Sequence, residues 1–146
     1  GYDLSPARME ALVAMGGRPA ASVAEVGQAS DVAFVMVMTG DQAKSVLFDE
    51  GGLATSLPEG GVVILTATIR PQEAQEIGAA MQGTGRRLID SPVSGGFPGA
   101  QGGTLTMMVA APDDVMARAR PVLEAVSASI HHVGTKAGDE QRKSPR

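Results

Sequence analysis

Short runs of apolar, largely β-branched residues recur along this chain of 146 residues, and stretches with helical spacing separate them. Residues 32–38 (Val-Ala-Phe-Val-Met-Val-Met), 62–65 (Val-Val-Ile-Leu), 87–90 and 105–110 read as strands. Continuous apolar runs of this length suit strands buried on both faces, as in a parallel sheet covered by helices. The intervening segments 41–48, 71–82 and 112–126 read as helices, the second carrying Ala74, Ile77, Ala80 and Met81 inward and the third Val115, Ala119, Val122, Leu123 and Val126. Strands alternating with helices of about ten residues mean βαβ units, so the chain is expected to be an α/β domain with a mostly parallel sheet.

Local chemistry sets the boundaries. Ser5-Pro6 supplies an N-cap and a first-turn proline for a helix whose apolar face is Met9, Leu12, Val13 and Met15, ended by Gly16-Gly17. Ser22-Val23-Ala24-Glu25 is a capping box opening a short helix to Ala29. Pro58-Glu59-Gly60-Gly61 turns the chain into residues 62–65, Pro71 starts the next helix, and Gly83-Thr84-Gly85 turns it again. Residues 19–21 are expected as a brief strand and 129–133 as a last one, whereas residues 1–4 are too short for a secure strand. His131 and His132 are adjacent on that last strand and face opposite sides, so they do not clamp one ion together. Asp113-Asp114 at a helix start suits the helix dipole.

Composition narrows the function classes. The formal net charge is −4 and no basic block occurs, which argues against a nucleic-acid partner. With no cysteine there is no disulfide, thiolate metal site or cysteine nucleophile. The longest apolar run, residues 32–38, falls far short of the ~20 residues that span a bilayer, and no signal-peptide pattern is seen, so a cytoplasmic location is the expectation. The length suits one domain with one sizeable core.

The chemistry concentrates in residues 90–103, Asp-Ser-Pro-Val-Ser-Gly-Gly-Phe-Pro-Gly-Ala-Gln-Gly-Gly, with five glycines and two prolines in 14 residues. Glycine permits close approach and unusual backbone angles and proline fixes φ, so this loop is shaped. Ser94-Gly95-Gly96 offers a hydroxyl and unobstructed backbone N–H groups to an anionic or polyhydroxy ligand; a plain glycine-rich turn between strands is the competing reading.

Asp-Ser-Pro-Val-Ser-Gly-Gly-x-Pro-Gly-Ala-x-x-Gly-Thr-Leu resembles the substrate-loop pattern of the β-hydroxyacid dehydrogenase family, which includes 3-hydroxyisobutyrate, tartronate semialdehyde, L-threonate and 6-phosphogluconate dehydrogenases. The resemblance runs from about Tyr2 to Gln141 and implies a Rossmann-type, doubly wound, mostly parallel sheet. It also implies NAD, with NADP the lesser expectation, a small hydroxy-acid substrate, and a homo-oligomer in the complete enzyme. Ser94, Gly95 and Gly96 would bind the carboxylate and hydroxyl end of the substrate. Asp3 resembles the acid that accepts hydrogen bonds from the adenosine ribose and repels the extra phosphate of NADP. Val37 and Met38 would touch the cofactor through their backbone, because the usual Leu-Pro pair is absent. Thr68, in Thr66-Ala67-Thr68-Ile69-Arg70-Pro71, would lie near the nicotinamide ribose, while Ala67 and Arg70 depart from the Ser-Thr-Ile-Ser-Pro pattern. Asp3 as a solvated terminal charge and Thr68 as a helix N-terminal residue are the alternatives.

Two departures complete the reading. No GxGxxG occurs, so the fold is expected to lack the first strand, the glycine loop and the first helix, and residues 1–134 form a partial NAD-binding domain. Residues 135–146 read as the start of an interdomain helix or a divergent tail, with a C-terminal helical domain absent. In Gly138-Asp139-Glu140-Gln141-Arg142-Lys143, Glu140 replaces a family glycine and Lys143 arrives one position early; it is the nearest candidate for the catalytic lysine, or a solvated terminal one. The reading is therefore an NAD-dependent oxidoreductase of a small 3-hydroxy acid, 3-hydroxyisobutyrate-like or a sugar acid such as L-threonate, in the complete enzyme. This chain alone is expected to be inactive and poorly soluble. The alternatives are a non-catalytic remnant or weak nucleotide- or partner-binding module, and a flavodoxin-like domain, which leaves residues 90–103 unexplained.

Overall fold

In the computed structural model, which describes residues 1–139, six strands join into one sheet. They are β1 (Val32–Val35), β2 (Val62–Leu65), β3 (Arg87–Asp90), β4 (Val93–Ser94), β5 (Leu105–Ala110) and β6 (Ser127–Gly134). The order is β1-β2-β3-β5-β4, with β6 along the other side of β5. The β1–β2, β2–β3 and β5–β6 pairs are parallel. The helices are α1 (Pro6–Ala14), α2 (Val23–Gln28), α3 (Gly40–Phe48), α4 (Leu53–Ser56), α5 (Pro71–Met81), α6 (Gly96–Gly102) and α7 (Asp113–Val126).

The alternation of side chains along β2 explains why the sheet is covered on both faces. Val63 and Leu65 pack with Ala33 and Val35 of β1 against Ala43 and Leu47 of α3, Leu53 and Ala54 of α4, and Ala74, Ile77 and Met81 of α5. Val62 and Ile64 face the other way, with Ile89, Met107 and Val109, onto Val115, Met116, Ala119 and Leu123 of α7. All four β2 residues are fully buried, as the uninterrupted apolar run requires. An ion pair of 2.8 Å between Lys44 Nζ and Glu76 Oε2 joins α3 to α5 across the surface.

The sheet is mostly parallel as expected, and the exception is β5, which runs antiparallel to β3 and β4. Asp90 pairs with Ala110, Val93 with Met107 and Ser94 with Thr106, in one unbroken register, so β3 and β4 are two parts of one strand interrupted at Ser91-Pro92. The short α6 closes the hairpin; a parallel return would need a crossover of about a dozen residues or more with a helix laid across the sheet.

Other differences have the same origin in tertiary context. Residues 36–38 leave the sheet, because β1 pairs with β2 only as far as Leu65. Met36 and Met38 are 60% and 83% exposed, and Phe34, beside Ile64 on the α7 face but out on the edge strand, is 38% exposed. The first helix forms where Ser5 and Pro6 place it, yet it buries no residue, and Val13 and Met15 remain exposed. Residues 19–21 form no strand; Ala20 N–H donates to Gly1 O at 2.8 Å and the Gly1 amino group to Arg18 O at 2.7 Å, and no ladder forms between the two segments. Both α4 and α6, unexpected from the sequence, are short; Gly52 precedes α4, and Gly95 and Gly103 flank α6.

Candidate functional site

Three parallel strands end at one edge of the sheet, and α3 and α5 begin there. Thr66 fastens the first two ends, since its N–H and its hydroxyl both donate to Val35 O at 3.1 Å. Ser91 N–H fastens the third by donating to Leu65 O at 2.8 Å. The loops that leave the first two ends border an open depression of about 390 Å³, lined by Met38, Thr39, Gly40, Thr68, Arg70 and Glu73 among others. Two residues singled out from the sequence, Met38 and Thr68, thus share a site at the carboxyl edge of the sheet, where ligands bind in open α/β folds.

A capping box shapes one wall. Thr39 Oγ1 accepts Gln42 N–H at 3.2 Å, and Gln42 Oε1 accepts the N–H groups of Met38 and Thr39 at 2.9 and 3.1 Å. The Met38 N–H is therefore already engaged, and its side chain is exposed. Val37 is partly buried against the first core. Sequence reasoning missed Gln42, although the Thr39-x-x-Gln42 spacing carries the signal.

The opposite wall carries an ion pair. Arg70 N–H donates to Glu73 Oε2 at 3.1 Å and its guanidinium to Glu73 Oε1 at 3.3 Å. These hydrogen bonds hold the Glu73 carboxyl below the usual glutamate range. Gly40 lets this pair close over the start of α3: a Cβ there would sit 3.0 Å from the Glu73 carboxyl carbon. The lining thus offers the exposed Thr68 hydroxyl, an internally neutralised ion pair and the apolar Met38 and Ile69.

The glycine-rich stretch begins at the neighbouring strand end. Asp90 and Ser91 are fully buried, and the Ser91 hydroxyl has no hydrogen-bond partner among the described residues. Ser94 is exposed on β4, and Gly95 and Gly96, at φ +124° and +58°, turn the chain into α6 with backbone angles a side chain would oppose.

Asp3 is not among the residues lining this depression. Its Oδ1 accepts Ser5 N–H at 2.8 Å, and Arg8 Nη1 lies 3.6 Å from its Oδ2, so its carboxylate shapes the entry to α1. Lys143 lies outside the described residues. His132 sits on β6 with Nε2 at 2.7 Å from Ala111 O, a strand residue bonded to backbone. A larger cavity, about 700 Å³, opens between the C-terminal half of α5 and residues 135–137; its Arg86 guanidinium is spent on the carbonyls of Thr55, Leu57 and Thr84. No helix among the described residues is long and apolar enough to cross a membrane.

A parallel-dominant sheet covered by helices on both faces, with an open depression where strands end and helices begin, defines a Rossmann-type nucleotide-binding fold. The chain belongs to the family described as the NAD-binding domain of 6-phosphogluconate dehydrogenase, which matches residues 1–134. It is 35% identical over 136 residues to an L-threonate dehydrogenase of Cupriavidus necator, covering 93% of this chain and 46% of that protein. It is also 35% identical over 133 residues to an NAD-dependent L-serine dehydrogenase of Pseudomonas aeruginosa, covering 91% of this chain and 45% of that protein. A solved Mycobacterium tuberculosis 3-hydroxyisobutyrate dehydrogenase with L-serine superposes with a TM-score of 0.91 at 30% identity, covering 98% of this chain and 48% of that one. The resemblance carried by residues 90–105 is borne out. The chain spans about half the length of these relatives.

Proposed function

We propose that this chain supplies the cofactor half of an NAD-dependent oxidoreductase acting on a small 3-hydroxy acid, of the 3-hydroxyisobutyrate or sugar-acid kind. The observation that carries the reading is the convergence of Met38, Thr68 and the start of the Asp90-Ser91-Pro92-Val93-Ser94-Gly95-Gly96 stretch on one edge of the sheet. The Thr68 hydroxyl meets a ribose hydroxyl, and the Met38 carbonyl and side chain flank the ring attached to it. Gly95 and Gly96 bring backbone N–H groups to the substrate carboxylate and Ser94 adds a hydroxyl, which orients the hydroxyl-bearing carbon. Nicotinamide, when bound, accepts the hydride from that carbon. Lys143 is the candidate acceptor for the hydroxyl proton. Holding the reacting atoms in line is the chief contribution of such a site, because orientation alone accounts for a large part of the barrier reduction. A carboxylate at Asp3 favours NAD over NADP, whose extra phosphate it would repel.

Residues 1–134 are read as a partial domain. The open side of β1, the exposed Phe34 and the unburied α1 support an added strand and helix there, since a bare strand edge and uncovered apolar surface are costly to leave in water. The interdomain helix or divergent tail expected over residues 135–146 falls mostly outside the described residues.

Titration calorimetry with NAD decides between the readings. The chain is compared with a version extended at its start by a strand, a GxGxxG turn and a helix. Binding by the extended version with none by the chain alone supports the partial-domain reading; binding by neither favours a non-catalytic remnant, and the open edge of β1 is the observation behind that alternative.

A further inference from the structure

Beyond β6 the chain doubles back across α5 toward the site. Gly78 admits it, since a Cβ there would lie 2.9 Å from the Cβ of Ala137. The segment is tightly wound. Asp139 Oδ2 accepts the N–H groups of Thr135 and Lys136 at 3.2 Å each, Asp139 N–H donates to Lys136 O at 3.1 Å, and Gly138 takes φ +94°. The Asp90 side chain meets this segment from the sheet: Oδ2 accepts Gly138 N–H at 2.9 Å, in a buried bond linking residues 48 apart in sequence. Asp90 is fully buried at the end of β3, and Ser94 follows four residues later in the same register against β5, about 13 Å along the strand.

We propose that Asp90 is a positioning residue: through the Gly138 N–H it pins residues 134–139 to the strand that carries Ser94, Gly95 and Gly96. It thereby sets where the chain after Asp139 starts relative to the hydroxy-acid site. The inference rests on the functional reading above for what is positioned, but the pin itself stands on geometry. A buried carboxylate accepting a backbone N–H makes one of the stronger hydrogen bonds in a protein, and removing the acceptor leaves a buried donor unsatisfied.

The test is amide hydrogen exchange on the 146-residue chain, with tryptic cleavage after Lys136 as a second probe. In the unaltered protein the Gly138 amide exchanges at least about tenfold more slowly than an unprotected glycine; exchange at the unprotected rate overturns the proposal without any variant. In Asp90→Ala, exchange across residues 135–139 and cleavage after Lys136 speed up about tenfold or more, while the amides of Val62 to Leu65 keep their protection. Asp90→Asn keeps a carbonyl oxygen to accept the bond and restores both readouts to within about threefold of the unaltered protein. Equal loosening of β2 and of residues 135–139 in Asp90→Ala, or failure of Asp90→Asn to restore protection, overturns it. These readouts involve neither NAD nor turnover, so a chain that protects Gly138 yet binds no NAD when extended refutes the functional reading and leaves the pin standing.

Discussion

Gln42 offers the sharpest test of how the cofactor wall is built. One carboxamide oxygen accepts two backbone N–H groups, at 2.9 and 3.1 Å, and so holds the loop between β1 and α3 in place. Gln42→Ala removes both bonds but leaves Thr39 Oγ1 on the residue 42 N–H. The site is exposed, so water replaces the lost acceptor and each bond counts toward the low end, about 0.5 to 1 kcal/mol. Alanine returns about 0.4 kcal/mol through better helix propensity. The net loss is therefore about 1 kcal/mol, or a Tm lowered by about 3–4 °C in a domain of this size. Thermal unfolding followed by circular dichroism measures it, with Gln42→Glu as the partner variant: it keeps an acceptor, adds charge that suits the start of a helix, and should unfold within about 1 °C of the unaltered protein. An unchanged Tm in Gln42→Ala, or an equal loss in Gln42→Glu, would refute the claim that this side chain holds the loop.

Three further outcomes follow from the same geometry. Ser91→Ala removes a buried hydroxyl that has no partner among the described residues, so urea unfolding should show unchanged stability or a gain of up to about 1 kcal/mol; a loss above about 1 kcal/mol contradicts this account. Thr68→Val deletes the exposed hydroxyl while keeping the shape of the side chain, and NAD affinity of the extended protein should fall roughly three- to tenfold with Tm unchanged, as read by calorimetry. The hydrogen bond from Lys44, with its nearby charge, holds the Glu76 carboxyl below its ordinary value of 4.5. Its contribution to stability is therefore present above that value and lost as pH falls through the lower, folded one. Glu76→Gln should flatten the acid limb of the stability profile below about pH 4.5, and an identical limb in both proteins counts against the pair.

The sequence by itself determined what is local. Ser5, Ser22, Thr39 and Pro71 start helices where they stand, because a cap satisfies backbone groups within one turn of itself. Residues 62–65 read as a doubly buried strand because continuous apolar character in a period-two element means two covered faces. Residues 90–105 announced the family because their glycines and prolines constrain the backbone directly, at Gly95 and Gly96 above all. The candidate site was legible to the same extent: Thr68 and Met38 were singled out, but not that they line one pocket with Arg70 and Glu73. Tertiary structure decided the rest. It reversed β5, left α1 and the end of the 32–38 run uncovered, committed the Met38 N–H to Gln42, and joined Asp90 to Gly138. Periodicity states which face of an element is apolar and is silent on what lies against it. A strand's direction, a helix's burial and a hydrogen bond between residues 48 apart depend on which segments meet in space, and that is settled when the whole chain packs at once.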